Sequence, residues 1–292
     1  MGKASQKIKH LFYCSLTVVS PRLNSELRFR KTYGRKLDLD NPRRFNEKGM
    51  WLKLNRYNND PLIKKCANKL TVRDYVSEKG CHEILNTLIG VYDSPDDIDF
   101  DSLPDSFVIK WNFGCGYNFV CPDKSKIDVS SVRRKLKKWG SKKFHLYFSE
   151  MQYKIKNKKL IIETYLKPQT GFLPDDYKVF CFNGQPRYIM VCKDRENGTP
   201  QYYFFDTDWN FKRFNIPSRD FPEDFTLPRP SNLGEMLRCA GILSADFPFV
   251  RVDFFSCDGK TIFSELTFTP AGYLDNTYYD DADLLLGGEL AL

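Results

Sequence analysis

The stretch FVRVDFFSCDGKTIFSELTFTPAG, residues 249–272, decides the fold. Two runs rich in β-branched and aromatic residues, Phe249 to Ser256 and Thr261 to Phe268, flank the turn Cys257-Asp258-Gly259-Lys260, which reads as a hairpin. Each arm carries an acid. With the turn near Gly259, Asp253 and Glu265 fall roughly opposite each other. Two carboxylates facing across a hairpin repel unless a cation lies between them. Oxygen ligands of this kind suit Mg²⁺, which takes one or two carboxylates together with substrate phosphates. Arg251 shares the strand face of Asp253 by period two, so a guanidinium and an acid point the same way, as phosphoryl transfer needs. A solvated sheet face with incidental acids is the competing reading.

Upstream, Asp176 to Phe182 alternates and meets Asn183-Gly184, a strong hairpin signal that returns through Arg187 to Cys192. Asp176 and Lys178 share one face of that strand, either as a surface ion pair or as part of a site. Phe107-Val108-Ile109 ends in Lys110 and leads into the loop from Asn112 to Asn118, which contains Gly114 and Gly116. Glycines let backbone N–H groups approach phosphate oxygens, and a lysine adds a point charge. The order and spacing match neither a Walker A loop nor a Rossmann fingerprint, and an ordinary turn fits equally well. Leu160 to Leu166 is a further strand, with Glu163 inside it.

Helical spacing appears in Met50, Trp51, Leu54 and Tyr57, behind Pro42 and Asn46. It recurs from Thr71 to Lys79 ahead of Gly80, from Ser130 or Ser131 to Trp139 ahead of Gly140, and from Asn232 to Leu243. Turn-rich connections cover Lys167 to Pro174 and Asn215 to Ser231. Hairpins alternating with helices predict an α+β fold with antiparallel sheets.

Composition narrows the function. In 292 residues there are three histidines, none paired at helical spacing, which excludes a histidine-based metalloenzyme. Nine cysteines without a CxxC pair suit free thiols in a reducing, cytoplasmic setting. Lys3, Lys7 and Lys9 precede an apolar run, Leu11 to Val19, broken by Ser15 and Thr17. This predicts an amphipathic first helix, with an export signal or a peripheral contact with the inner membrane surface as alternatives. The net charge of +8 is uneven: Asp123 to Lys159 carries +10, whereas Asp253 to the end carries −7. That split argues against a nucleic-acid coat.

Together the segments NPRRFNEKGMWLKL, NKLTVRDYV, LPDSFVIKWNFGCGYN, KLIIETYL, DYKVFCFNGQP, FPFVRVDFF and SELTFTPAG resemble, in order, the TupA-like group of the ATP-grasp superfamily, associated with bacterial surface polysaccharide biosynthesis. The resemblance implies two α+β lobes enclosing a nucleotide: residues 67–166 with the glycine loop and 167–292 with the metal-binding hairpin, preceded by a short helical segment, 1–66. It implies ATP and Mg²⁺. Lys69 and Lys110 would contact phosphates, Lys110 also reaching adenine, and the loop of Gly114 and Gly116 would cover them. Glu163, Tyr165 and Leu166 would lie in the strand that pairs with adenine, Asp176 would reach the ribose, and Lys178 the γ-phosphate. Asp253, Glu265 and Thr267 would hold Mg²⁺, Arg251 would stabilise the transferred phosphoryl group, and Gly272 would offer a backbone donor. Thr267 stands where most of the superfamily has Asn.

The activity implied is ATP-dependent carboxylate–amine ligation, through an acylphosphate, on an acidic sugar, amino sugar or glycan precursor. A sugar kinase would use the same residues. A metal-dependent glycosyltransferase would instead use Asp206 and Asp208, one of five Asp-x-Asp pairs in the chain. The basic stretch from Lys124 to Lys159 suits an acidic glycan or lipid phosphate as well as it suits a solvated helix face.

Overall fold

The computed structural model describes residues 3–168, 172–195 and 198–292, so part of the turn-rich connection after Lys167 lies outside the described residues. Two antiparallel sheets organise the chain. The smaller contains β1 (Leu88–Tyr92), β2 (Phe107–Trp111), β3 (Asn118–Cys121) and β4 (Leu160–Thr164) in the order β1-β4-β2-β3. The larger contains β5 (Asp175–Phe182), β6 (Gln185–Lys193), β7 (Gln201–Asp206), β8 (Phe211–Lys212), β9 (Phe249–Cys257) and β10 (Lys260–Thr267) in the order β10-β9-β5-β6-β7-β8. Asn183 and Gly184 both adopt positive φ, which closes β5–β6 with the tight turn expected of Asn-Gly.

The helices are α1 (Lys3–Val19), α2 (Pro21–Tyr33), α3 (Phe45–Leu52), α4 (Pro61–Ala67), α5 (Val72–Glu78), α6 (Val129–Gly140), α7 (Phe144–Tyr147), α8 (Leu233–Ser244) and α9 (Asp280–Glu289). Helix α6 lays Val132 and Leu136 into the core of the smaller sheet, with Phe107, Ile109 and Leu160. Helix α8 covers one face of the larger sheet, where the Cys181 thiol reaches the Ala240 carbonyl. On the opposite face the Phe45 ring of α3 packs against Phe180, Phe182 and Phe249. Ile63, Val72, Tyr75 and Val76 of α4 and α5 join this larger core.

Several local expectations change. The α6 N-cap is Asp128, whose carboxylate accepts from Ser130 N at 3.0 Å, so neither Ser130 nor Ser131 is the cap. Gly140 is the last residue of that helix, and a Cβ there would stand 2.5 Å from the Trp111 ring. Asn46 lies inside α3, bonded to Asp283, and Glu47 satisfies the backbone N–H groups of Arg43 and Arg44. Beyond α3 the chain widens into a π-helical turn, Lys53–Tyr57, that turns Lys53 and Tyr57 inward.

Helix α1 forms as expected and turns its apolar stripe outward. Ile8, Leu11, Phe12, Val18 and Val19 are all more than half exposed, while Tyr13 and Thr17 face inward. Thr17 bonds to Ser149, and Arg28 of α2 is sandwiched between the Tyr13 and Tyr147 rings at 3.7 and 3.9 Å. None of the described helices is long and apolar enough to cross a membrane. All nine cysteines are free, and Cys115 is exposed.

Helix α9 docks on α3, and its two adjacent glycines differ in surroundings. A Cβ at Gly287 would meet the Arg43 carbonyl oxygen at 2.2 Å, whereas Gly288 has open space. Gly287→Ala should therefore lower unfolding stability by about 1–3 kcal/mol. Gly288→Ala should leave it unchanged or raise it by up to about 1 kcal/mol, both read by urea denaturation.

Candidate active site

The site is built on the larger sheet face that α3 covers at its other end, and Asp176, Asp253 and Thr267 are buried there. Three strands contribute one row: Lys178 pairs with Asp253, and Asp253 with Glu265. The next row holds Arg251 beside Thr267, and Asp176 lies two residues before Lys178 on β5. A β-bulge between Phe263 and Glu265 sets this alignment. A regular ladder continued from the Lys260–Cys257 pair would bring Ser264 opposite Asp253 and turn Glu265 to the other face; the extra residue restores it.

The side chains form one ionic network. Arg251 grips Asp253 with two bonds of 2.7 Å and approaches Thr267 Oγ1 at 3.3 Å. Lys178 donates to Asp176 at 2.9 Å and to Asp253 at 3.1 Å. Lys69 donates to Glu265 and to the Gly114 carbonyl, each at 2.8 Å, which ties the glycine loop to the hairpin. Burial alone would raise the Glu265 carboxyl. Lys69, in charge and hydrogen bond, together with Lys178 and Arg251, outweighs that and holds it at about 2. Burial opposes charge on Lys178 as well, yet Asp253 and Asp176 raise it. Three cations thus balance three acids.

The oxygen donors fit a hard divalent cation. Thr267 Oγ1 lies 3.4 Å from both Asp253 Oδ2 and Glu265 Oε1, so three oxygens gather without nitrogen or sulfur ligands. Arg251 and Lys69 hold the two acids and would have to give way to such an ion.

Beside this network, on the same side of the sheet, a cleft of about 230 Å³ separates the two sheets. Val108, Lys110, Val120, Tyr165 and Leu166 line one wall, and Arg195, Phe255, Ile262 and Phe263 the other. Glu163 stands behind the wall, buried, and clamps Lys110 at 2.6 Å and Arg73 at 3.0 Å. The structure therefore brings Lys69, Gly114, Asp176, Lys178, Arg251, Asp253, Glu265 and Thr267 into one cluster, with Lys110, Tyr165 and Leu166 in the adjoining cleft. Gly116 adopts φ +76 with nothing near it. The Gly272 N–H is bonded to the Thr269 carbonyl at 2.9 Å, so its backbone donor is spent within its own turn.

Other residues have no motif that announces them. Arg73 fixes Glu163 and also bonds the Asn86 carbonyl. Arg195 reaches Asp176 at 3.7 Å. Glu150 is buried and accepts from Thr269 at 2.6 Å, and burial raises its carboxyl. The rival Asp206 is occupied: it accepts from the N–H groups of Asp208 and Asn210 and pairs with Lys212. Elsewhere Cys81, Glu83 and Cys239 gather closely, but burial pushes the Cys239 thiol up to about 12 and Arg238 pairs with Glu83.

Two antiparallel sheets with a cleft between them, and a cation–carboxylate cluster on the sheet face beside that cleft, are the arrangement of an ATP-grasp fold. The TupA-like ATP-grasp family model matches residues 47–291, and the chain belongs to that family. Among curated proteins none matches it by sequence. Solved structures similar to it include D-alanine–D-alanine ligase from Bacillus anthracis, at 16% identity and TM-score 0.45, over 77% of this chain and 64% of that one. An ADP complex of N5-carboxyaminoimidazole ribonucleotide synthetase matches at 13% identity and TM-score 0.44, over 70% of this chain and 45% of that one. D-cycloserine synthetase matches at 14% and 0.44, over 80% and 72%. The chain thus spans less than two thirds of the first two.

The Lys69–Glu265 contact has a testable pH signature. Because the folded carboxyl lies at about 2 against an ordinary 4.5, its contribution is complete above that ordinary value and is lost as pH falls toward 2. The stability advantage of wild type over Lys69→Met should shrink between pH 5 and about pH 3 in denaturation series. A constant difference across that window would contradict the pairing.

Proposed function

We propose that the protein is an ATP- and Mg²⁺-dependent carboxylate–amine ligase acting on an acidic sugar, amino sugar or glycan precursor in surface polysaccharide assembly. The observation that carries this reading is adjacency: Phe255 and Ile262, which line the cleft with Lys110, Tyr165 and Leu166, share one sheet face with Lys178, Arg251, Asp253 and Glu265. The base would occupy the cleft, and the phosphates would draw Lys69, Lys178 and Arg251 away from the acids they now neutralise. Mg²⁺ held by Asp253, Glu265 and Thr267 would supply charge neutralisation at the phosphates.

In the reaction a substrate carboxylate oxygen forms a bond to the γ-phosphorus as the bond to the β-phosphate oxygen breaks, releasing ADP. An amine nitrogen then bonds to the acyl carbon, the carbon–oxygen bond to phosphate breaks, and the amine loses a proton. Arg251, now on Asp253, and Lys178, now on Asp176 and Asp253, stand on the same face, and once released each would present its charge to the transferring group. Lys69 couples the Gly114 carbonyl to Glu265, so the loop closes over the same point at which the acids converge. No protein nucleophile is needed. The polysaccharide assignment rests on the family resemblance and on the basic character of residues 123–159.

Incubation with ATP, an amine and a uronic acid should yield one ADP and one phosphate per amide. A phosphorylated sugar without amide would instead identify a kinase. Glu265→Gln should lower turnover on the order of 100-fold when assayed well below its melting temperature, which itself falls with the loss of the Lys69 pair. Full activity of that variant would remove the metal assignment.

We also propose a peripheral contact with an anionic membrane surface through α1. Its outward stripe of Ile8, Leu11 and Phe12 is flanked by Lys7 and Lys9, the arrangement of a helix lying in a lipid interface. Co-sedimentation with phosphatidylglycerol vesicles should be lost in Ile8→Asp/Phe12→Asp. Retention of that variant on the vesicles would exclude α1 as the contact.

A further inference from the structure

A second concavity lies on the opposite side of the turn Met151–Tyr153 from the ionic network. It encloses about 710 Å³. Its rim carries Arg22 from the start of α2, Lys64 from α4, and Lys154 and Lys156 from the chain beyond the turn. Among the described residues no carboxylate lines it. Arg22 pairs with Glu26, but none of the three lysines pairs with an acid among the described residues. Like charges held around one hollow without counter-charges repel, and an anionic occupant relieves that repulsion. The field is felt nearby: burial, then Lys154, Lys158 and Lys143, pushes the His145 imidazole down to about 4.

Three amide side chains, Asn55, Asn58 and Asn59, stand among the cations, and Leu54 and Met151 supply an apolar strip. Asn58 Oδ1 accepts from Met151 N at 2.9 Å, which fixes the turn against the π-helical segment. Amides and cations over a narrow apolar strip match a ring that has hydroxyls on its edge, acid substituents and C–H faces. No aromatic ring lines the hollow among the described residues, so the stacking platform that single-stranded nucleic acid uses is missing.

The same turn faces the reaction centre from its other side. Gln152 donates to Thr269 Oγ1 at 2.8 Å. Tyr153 is held far from ionisation, first by burial and then by Glu150 and Glu265. The groove and the site therefore share one wall, three residues thick.

We propose that this groove binds an anionic carbohydrate chain, placing its acid groups on Arg22, Lys64, Lys154 and Lys156 and its hydroxyls on the three asparagines. The choice of carbohydrate rests on the ligase reading above. The acid groups can be carboxylates or phosphates, and the two are separated by experiment.

The full-length protein is titrated calorimetrically with tetragalacturonate, a phosphorylated mannose oligosaccharide, neutral maltotetraose and a single-stranded oligonucleotide. ATP·Mg²⁺ binding is followed in parallel by thermal shift. One of the two acidic oligosaccharides should bind in preference to maltotetraose, and Lys154→Glu/Lys156→Glu should weaken it by about tenfold or more. The ATP·Mg²⁺ shift of that variant should equal wild type, since neither lysine touches the nucleotide cleft. Equal binding of maltotetraose, unchanged affinity in the variant, or tighter binding of the oligonucleotide overturns the proposal. Charge-dependent oligosaccharide binding by a protein that shows no ATP·Mg²⁺ shift supports the groove and sinks the ligase reading alone.

Discussion

Everything at the site depends on one extra residue in a β-ladder. The turn at Asp258–Gly259 sets a parity under which Glu265 would face α8, with the apolar side chains of Val252 and Phe254. The bulge at Ser264 reverses that parity for the rest of β10. It turns Glu265 and Thr267 toward Asp253 and Arg251, while Ile262, before the bulge, stays paired with Phe255 in the cleft. Ile262 and Glu265 thus occupy one face of one hairpin, although they are three residues apart, a step that a regular strand would send to opposite faces. A β-bulge costs a ladder bond and bends the strand. Here it separates an apolar surface, Phe255 and Ile262, from a charged one, Asp253 and Glu265.

The second constraint is electrostatic. Asp176, Asp253 and Glu265 lie within one small region, where like charges repel. Lys69, Lys178 and Arg251 offset that repulsion, as the depressed Glu265 and the raised Lys178 record. Buried ion pairs contribute little net stability, because desolvation offsets their attraction. Under the proposed function the arrangement provides exchange: a polyphosphate would take the three cations and a divalent ion the acids, with little change in net charge. The glycine loop is already tied into this exchange, since Lys69 bonds the Gly114 carbonyl and Glu265 with the same ammonium.

Much of this was legible in the residues. Both hairpins, the strand ending at Lys110 and the opposition of Asp253 to Glu265 follow from alternation and turn chemistry. The opposition follows from a turn near Gly259, however, and strict register would deny it; a serine between Phe263 and Glu265 gives no local signal of a bulge. Arg73 and Arg195 were illegible for a different reason. Each lies outside the strand face it serves, on α5 and beyond β6, and tertiary folding alone brings it to Glu163 or Asp176. Periodicity identified α1 as amphipathic without revealing which side faces outward, because Tyr13 and Thr17 find partners in the segment 146–149, far along the chain.

The helical segment at the start of the family match also takes on a different role. Gly49 of α3 lies directly beneath the Tyr273 ring, and a Cβ there would stand 2.1 Å from it. Tyr273 in turn follows two left-handed residues, Ala271 and Gly272, is itself left-handed, and bonds the Phe268 carbonyl through its hydroxyl at 2.6 Å. Three such residues in succession are strained unless their surroundings hold them, and only one of them is glycine. The ring buried on Gly49 supplies that hold. It fixes the chain directly after Thr267, and with it Thr269, which bonds Glu150 and Gln152. The motif NEKGMW is therefore a base plate: by accepting one aromatic ring on a glycine, α3 sets where β10 ends and so where its oxygen donors stand.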